Sequence, residues 1–323
     1  MAKALPFELK LALSKRFPPG TMVVEAGCYK LLPTPSASSE GEAVLSFVDS
    51  YEHPMAGGSH PEEEATMVAR CLSLFIDARV KKAGVRINGV DIPSSPDRDR
   101  MGYPQFYGTC DPSGFEKHMA VFTSLPDDLA RQFYRAATTY SFALEFIPGD
   151  PTFAFFLLVV AVECLSSQDA VVPYKDLNPD KHTCERFCRF ISAMLTDDLR
   201  GPDERDQEFF TRLLKTAYYS HRSGFVHGGR EVPHAALLAD KVGSSYMKHL
   251  VDGKETFTPG LAWFARVVRG SLLGYLALVP VERLLPDGHR LSRLAFEKAA
   301  IQVKVKRDIQ AREVVYFGDI EIR

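Results

Sequence analysis

The sequence has no apolar signal-peptide core near its start (MAKALPFELK) and no charge-free run long enough to cross a bilayer. Its most apolar stretch, 153–165, is too short and carries Glu163. The longer one, 261–285, is interrupted by Arg266 and Arg269. Cysteine is sparse, six residues at 28, 71, 110, 164, 184 and 188, and CxxC is absent. A disulfide framework is therefore not expected, and a reducing, cytoplasmic setting is. His182, Cys184 and Cys188 cluster, but no fourth zinc ligand stands near them. GxGxxG, Walker A and HExxH are all missing, which removes the usual signatures of dinucleotide, nucleoside-triphosphate and zinc-peptidase chemistry. An excess of one charge is lacking as well: 39 basic against 41 acidic side chains give a net charge of -2. Tight non-specific nucleic-acid binding through a global basic field is excluded; a local basic cleft would still suffice for RNA. What is present is ordinary for a globular chain: 323 residues, 46% hydrophobic, 25% charged. That length and composition allow a substantial core and about two domains.

Residues 1–123 read as a mixed α/β module. Thr21–Tyr29 and Ala43–Val48 are rich in β-formers and bounded by Gly, Pro and Ser, so strands are expected there, with a loop over Pro33–Gly41. Pro61-Glu-Glu-Glu opens a helix, because proline suits a first turn and carboxylates suit the positive end of the dipole. Met67, Val68, Cys71, Leu72, Phe75 and Ile76 continue it at helical spacing. Val85–Ile92 predicts a short strand, and 93–114, dense in Pro, Gly and Asp, an irregular connection. From Ser124 the texture is helix after helix. Ser124 is the expected N-cap of the first, which runs to Phe146 and stops at Pro148-Gly149-Asp150. Pro151 starts the next; its FAFFLLVVAVECL is apolar nearly all round and belongs at the centre of a bundle. Helices over Cys184–Leu195 and Asp203–His221 follow, then a loop, then a long helix over Pro259–Leu285. The tail ends in VVYFGDIEI, which alternates like a strand. The expected fold class is α+β: an N-terminal mixed α/β module (1–123) for sensing or recognition, followed by a mainly α-helical bundle with a C-terminal tail (124–323).

One segment carries chemistry. Residues 218–229 read Tyr-Tyr-Ser-His-Arg-Ser-Gly-Phe-Val-His-Gly-Gly, with four residues between Arg222 and His227. A histidine titrating near its ordinary value of about 6.5 serves as acid or base. A guanidinium presents a planar, permanently charged fork to phosphate oxygens. In a regular helix residues five apart point about 140° away from each other, so the pair converges only through a bent backbone or a second copy of the chain. The same two residues past a helix end can instead cap carbonyls and pair with an acid. The neighbours are equally two-sided. Ser223 either contacts phosphate or caps the following helix. His221 either joins the cleft or ends a solvated helix. Tyr219 and Tyr218 are candidates to stack on a base, with one of the two in the core. Glu163 reads as structural, with Arg222 as its expected partner, because an unpaired buried carboxylate is costly.

This segment resembles the R-x4-H motif of the HEPN superfamily, and in particular its Apea-like branch, whose pattern R-S-x-x-V-H-G is matched by Arg222, Ser223, Val226, His227 and Gly228. FLLVVAVECL (156–165) is similar to that branch's central helix, where a Glu, here Glu163, is typical. The resemblance covers about 124–285. It implies a helical bundle, a homodimer that brings two motifs into one composite cleft, and a metal-independent endoribonuclease with Arg222 and His227 catalytic. Ser223, Glu163, His221 and Tyr219 would support them, and no cofactor is implied. Such enzymes commonly act as toxins or antiviral-defence effectors on RNA such as tRNA or mRNA, with a partner or trigger protein. The family also contains non-catalytic dimerisation and adaptor modules that bind a nucleotide or a partner protein, and inert halves of toxin–antitoxin pairs; both readings stay open at this point.

Overall fold

A computed structural model of the chain describes residues 6–34, 41–48, 61–87, 90–93, 109–166, 183–195, 206–223, 231, 234–241, 243–251, 253–278, 315–317 and 320–322. Two compact units result, one gathering Met1–Arg100, Phe106–Thr138 and Pro280–Arg323, the other Met101–Gln105 and Thr139–Val279. The mixed content, an antiparallel sheet in the N-terminal part and mostly helix thereafter, is that of an α+β protein.

In the first unit, β1 (Pro6–Leu13), β2 (Val24–Ala26), β3 (Tyr29–Thr34), β4 (Gly41–Val48), β5 (Val80–Ile87) and β6 (Val90–Pro93) form one antiparallel sheet in the order β2-β3-β4-β1-β5-β6. Sequence reading alone leaves Pro6–Leu13 unassigned, yet it is a central strand. Leu9, Leu11 and Leu13 alternate along it, are all buried, and Leu9 and Leu11 pair with Leu45 and Ala43 of β4. Period-two burial of this kind fixes register, since a slip of one residue would turn every leucine to solvent. The single strand expected over Thr21–Tyr29 is a hairpin, with Gly27 at a φ of 62° in its turn. Pro33, expected in a loop, lies in β3 opposite Ala43. The strand expected over Val85–Ile92 is the β5–β6 hairpin.

Helix α1 (Pro61–Phe75) follows its apolar spacing and packs on β1 and β5. The irregular connection expected up to residue 114 already contains the start of α2 (Ser113–Thr123). Ser124, the expected N-cap, is instead the C-cap of α2: its N–H reaches Val121 O at 3.0 Å and its hydroxyl donates to Ala120 O at 2.8 Å. Helix α3 (Asp127–Phe146) begins after Pro126. Phe75, Phe122 and Phe133 form the aromatic centre of this unit, with ring centroids 5.7–6.3 Å apart.

The second unit contains α4 (Pro151–Ser166), α5 (Thr183–Met194), α6 (Gln207–Thr216), α7 (His234–Lys241) and α8 (Leu261–Leu278), with a hairpin of β7 (Tyr246–Val251) and β8 (Lys254–Pro259) between α7 and α8. Asp150 starts α4 by accepting Phe153 N–H at 2.9 Å. Helix α4 packs against α5 and α8, and Phe155 stacks on Phe264 of α8 at 4.7 Å. By length and composition α8 would suffice to cross a bilayer, but 61% of it is buried inside the protein and it packs on α4, α5 and α7 as a core helix. A Cβ on Gly274 would fall on the Met194 carbonyl, so glycine sets how closely α8 crosses the end of α5. The long helix expected over Pro259–Leu285 starts two residues later, after β8 uses Pro259 as its last residue. In the tail, β9 (Val315–Phe317) and β10 (Ile320–Ile322) pair with each other as a short hairpin. None of the six cysteines is in a disulfide.

Candidate functional site

Helix α6 starts on Asp206, whose carboxylate accepts Glu208 N–H at 2.9 Å and Phe209 N–H at 3.3 Å. Phe210, Leu213, Leu214 and Ala217 then bury its apolar stripe. At Ala217 the coil widens into a π-helical turn over Ala217–Ser223. Hydrogen bonds from i to i+5 there replace the usual spacing.

The turn places Tyr218 and Arg222 on the same side, facing α4. Tyr218 is 3% exposed, and its hydroxyl donates to Glu163 Oε1 at 2.8 Å. Arg222 Nε lies 3.4 Å from the same oxygen, and the guanidinium sits over the Tyr218 ring, 5.7 Å from its centroid. The expected Arg222–Glu163 pair is present. It is an ionic contact without hydrogen-bond geometry, since Nε has no hydrogen-bond partner although it is buried. Both side chains are partly covered, 28% and 22% exposed, so the attraction is less screened than at an open surface. Burial, and then the Glu163 charge, raise the Tyr218 hydroxyl above its ordinary value, which keeps it a neutral donor. Phe187 of α5 packs on the Tyr218 ring at 5.3 Å. One carboxylate from the buried α4 therefore fixes a phenol and a guanidinium from the π turn.

Of the two tyrosines, Tyr218 is the core residue and Tyr219 the accessible one, 58% exposed and edge-on to Tyr218 at 5.7 Å. Tyr219 is also raised, chiefly by a hydrogen bond with Cys184. Cys184 and Cys188, one helical turn apart on α5, share a hydrogen bond that lowers Cys184 and raises Cys188. His221 and Ser223 lie in the π turn by their backbone, without described side chains. His227, Gly224, Gly228 and Gly229 lie outside the described residues, as does His182. Among the described residues no group of three His, Cys, Asp or Glu could hold a metal ion.

Sequence reasoning did not find the role of Tyr218 as the second tie on Glu163. The available signal was its position four residues before Arg222. It also passed over a cluster around the start of α6, where Arg212 lies over the rings of Phe209 and Phe257, at 5.2 and 4.8 Å. Comparison of the chain with family models, with curated proteins and with solved structures finds no match.

Proposed function

We propose that the chain is a metal-independent endoribonuclease of HEPN type, with Arg222 and His227 at its centre. The observation that carries the reading is Arg222 itself. It is a largely covered guanidinium, tied through Nε to a carboxylate and through its face to a tyrosine ring, near the end of a π-helical turn. The ion pair engages Nε, and the terminal nitrogens of the same guanidinium are the edge that would receive a phosphate. A fixed cation costs no reorganisation when charge develops on a phosphorane-like transition state.

In the proposed reaction a ribose 2′-oxygen attacks the adjacent phosphorus. The O2′–P bond forms, the P–O5′ bond breaks, the 2′ proton passes to a base and the 5′-oxygen takes a proton from an acid. His227 serves as one of these groups, and its counterpart from a second copy serves as the other in a two-fold composite cleft. Arg222 stabilises the equatorial oxygens. Tyr219, exposed in the same π turn, would stack on a base, and Ser223 and His221 flank Arg222 in sequence. A toxin or defence effector that acts on tRNA or mRNA is the setting the HEPN resemblance suggests, with the N-terminal sheet unit as the part that recognises a trigger.

The competing reading is a non-catalytic adaptor, favoured by the ion pair, since a structural arginine would also seek Glu163. The discriminating experiment is cleavage of total tRNA and mRNA in EDTA by wild type, Arg222→Ala and His227→Ala. Cleavage by wild type alone, leaving 2′,3′-cyclic phosphate ends, is expected. Cleavage that survives in both variants refutes the site, and inert protein in all three forms means either an enzyme held off by a missing trigger or the adaptor.

A further inference from the structure

A second candidate site lies at the other end of α6. Asp206, Glu208, Phe209, Arg212 and Tyr246 line a cleft of about 430 Å³. Phe209 of α6 and Tyr246 of the β7–β8 hairpin line it and, with Phe257 behind them, meet edge to face, with centroids 5.1–5.6 Å apart. The close centroids mean that the rings pack edge to face on one another; a cage around a quaternary ammonium would hold them farther apart. Arg212 is exposed, with its guanidinium over two of these rings, and among the described residues no carboxylate pairs with it. Its donors are therefore pre-oriented at the cleft. Facing the same space are two exposed carboxylates, Asp206 and Glu208. Only one Asp206 oxygen is used by the helix cap.

The geometry points to a binding site for a guanine base. The ring of Phe209 or Tyr246 and the guanidinium of Arg212 offer stacking surfaces that suit a base of any kind. The polar rim is selective. Arg donors match the O6 and N7 acceptors of guanine, the commonest specific arginine–base contact. A carboxylate, which only accepts, matches the adjacent N1–H and N2–H donors. Adenine would set its N1 lone pair against that carboxylate, and uracil offers a single N–H. The two carboxylates also argue against the alternative of a bare phosphate, which they would repel. The base reaches the cleft either as a free nucleotide or within single-stranded RNA, and the second source rests on the ribonuclease reading. Base binding is measured without cleavage, so failure here leaves that reading standing, and the reverse holds too.

The test is calorimetric titration of the full chain with GMP, AMP, UMP and CMP, repeated with tetranucleotides of uridine that contain one guanosine or one adenosine. GMP should bind at least about tenfold more tightly than AMP. Arg212→Ala should weaken GMP about tenfold or more. Asp206→Asn keeps the helix cap, because Asn caps as well as Asp, and together with Glu208→Gln should erase the preference for GMP. A guanosine tetranucleotide that binds more tightly than GMP assigns the site to RNA, and equal affinity assigns it to free nucleotide. Equal binding of the four mononucleotides, no binding at millimolar concentration, or GMP affinity unchanged in Arg212→Ala overturns the inference.

Discussion

Replacing Tyr218 by Phe removes one oxygen from the anchor of Arg222 and leaves the rest in place. That oxygen donates to Glu163 Oε1 at 2.8 Å. The ring remains under the guanidinium, at 5.7 Å, and against Phe187, at 5.3 Å. A hydrogen bond to a charged acceptor contributes about 1.5–3 kcal/mol. Glu163 is 22% exposed, so water replaces part of the lost donor and the lower end, about 1.5 kcal/mol, applies. The chain has one tryptophan, Trp263, 3% exposed in α8, so its fluorescence reports unfolding of the helical unit by itself. With a urea slope of about 2–3 kcal/mol per molar, the midpoint should fall by about 0.5–0.75 M. Glu163→Gln removes the charge that Tyr218 and Arg222 share, so the two substitutions should be non-additive by about 1 kcal/mol in a double-mutant cycle. In the cleavage assay the same Tyr218→Phe change should lower kcat with little effect on KM, as loss of positioning does. A Trp263 midpoint that does not move, or strictly additive substitutions, would refute the idea that one carboxylate ties the two side chains together.

Asp240 caps α8 by accepting Ala262 N–H at 2.9 Å, and burial, its first cause, pushes its carboxyl up from 3.8 to about 6. A raised folded-state value means that the folded chain holds the proton more tightly than the unfolded one. Stability should therefore rise as pH falls from about 7 toward 4, and be lost as pH climbs through 6. Asp240→Asn keeps the acceptor and cannot ionise; its Trp263 unfolding midpoint should be flat across that window and higher than wild type at pH 8, by up to about 3 kcal/mol. Gly274→Ala should destabilise the helical unit by about 1–3 kcal/mol, because the new methyl meets the Met194 backbone and α5 and α8 must separate; an unchanged midpoint would contradict that close crossing. Native thiol labelling at pH 8 should modify exposed Cys28 quickly and leave Cys110, buried and pushed up to about 12, untouched until unfolding.

The elements legible in the sequence are those whose signal is local. Pro61 and the acids after it start α1, Pro151 starts α4, and the all-round apolar run of α4 places it at the centre of its unit. Ser124 was misleading because a serine beside two aspartates looks the same whether it closes one helix or opens the next; the position of α2 decided it. The β7–β8 hairpin carried a signal, Asp252-Gly253, with Gly253 at a φ of 74°. Its flanks alternate too weakly to stand out between helices.

The sequence by itself determined which residues are chemically able: a guanidinium, a histidine and a buried carboxylate in an order that resembles HEPN proteins. It also determined most helix starts, since caps and proline act through the backbone next to them. Tertiary structure alone decided that Glu163, 55 residues before Tyr218, would meet it and Arg222 on a single oxygen. It likewise decided that Arg212 would lie over the ring of Phe257, brought from a hairpin farther along the chain, as well as over Phe209 of its own helix. Contacts of that kind depend on how whole elements pack, and packing is settled by the combined burial of many side chains, which no short stretch of sequence contains.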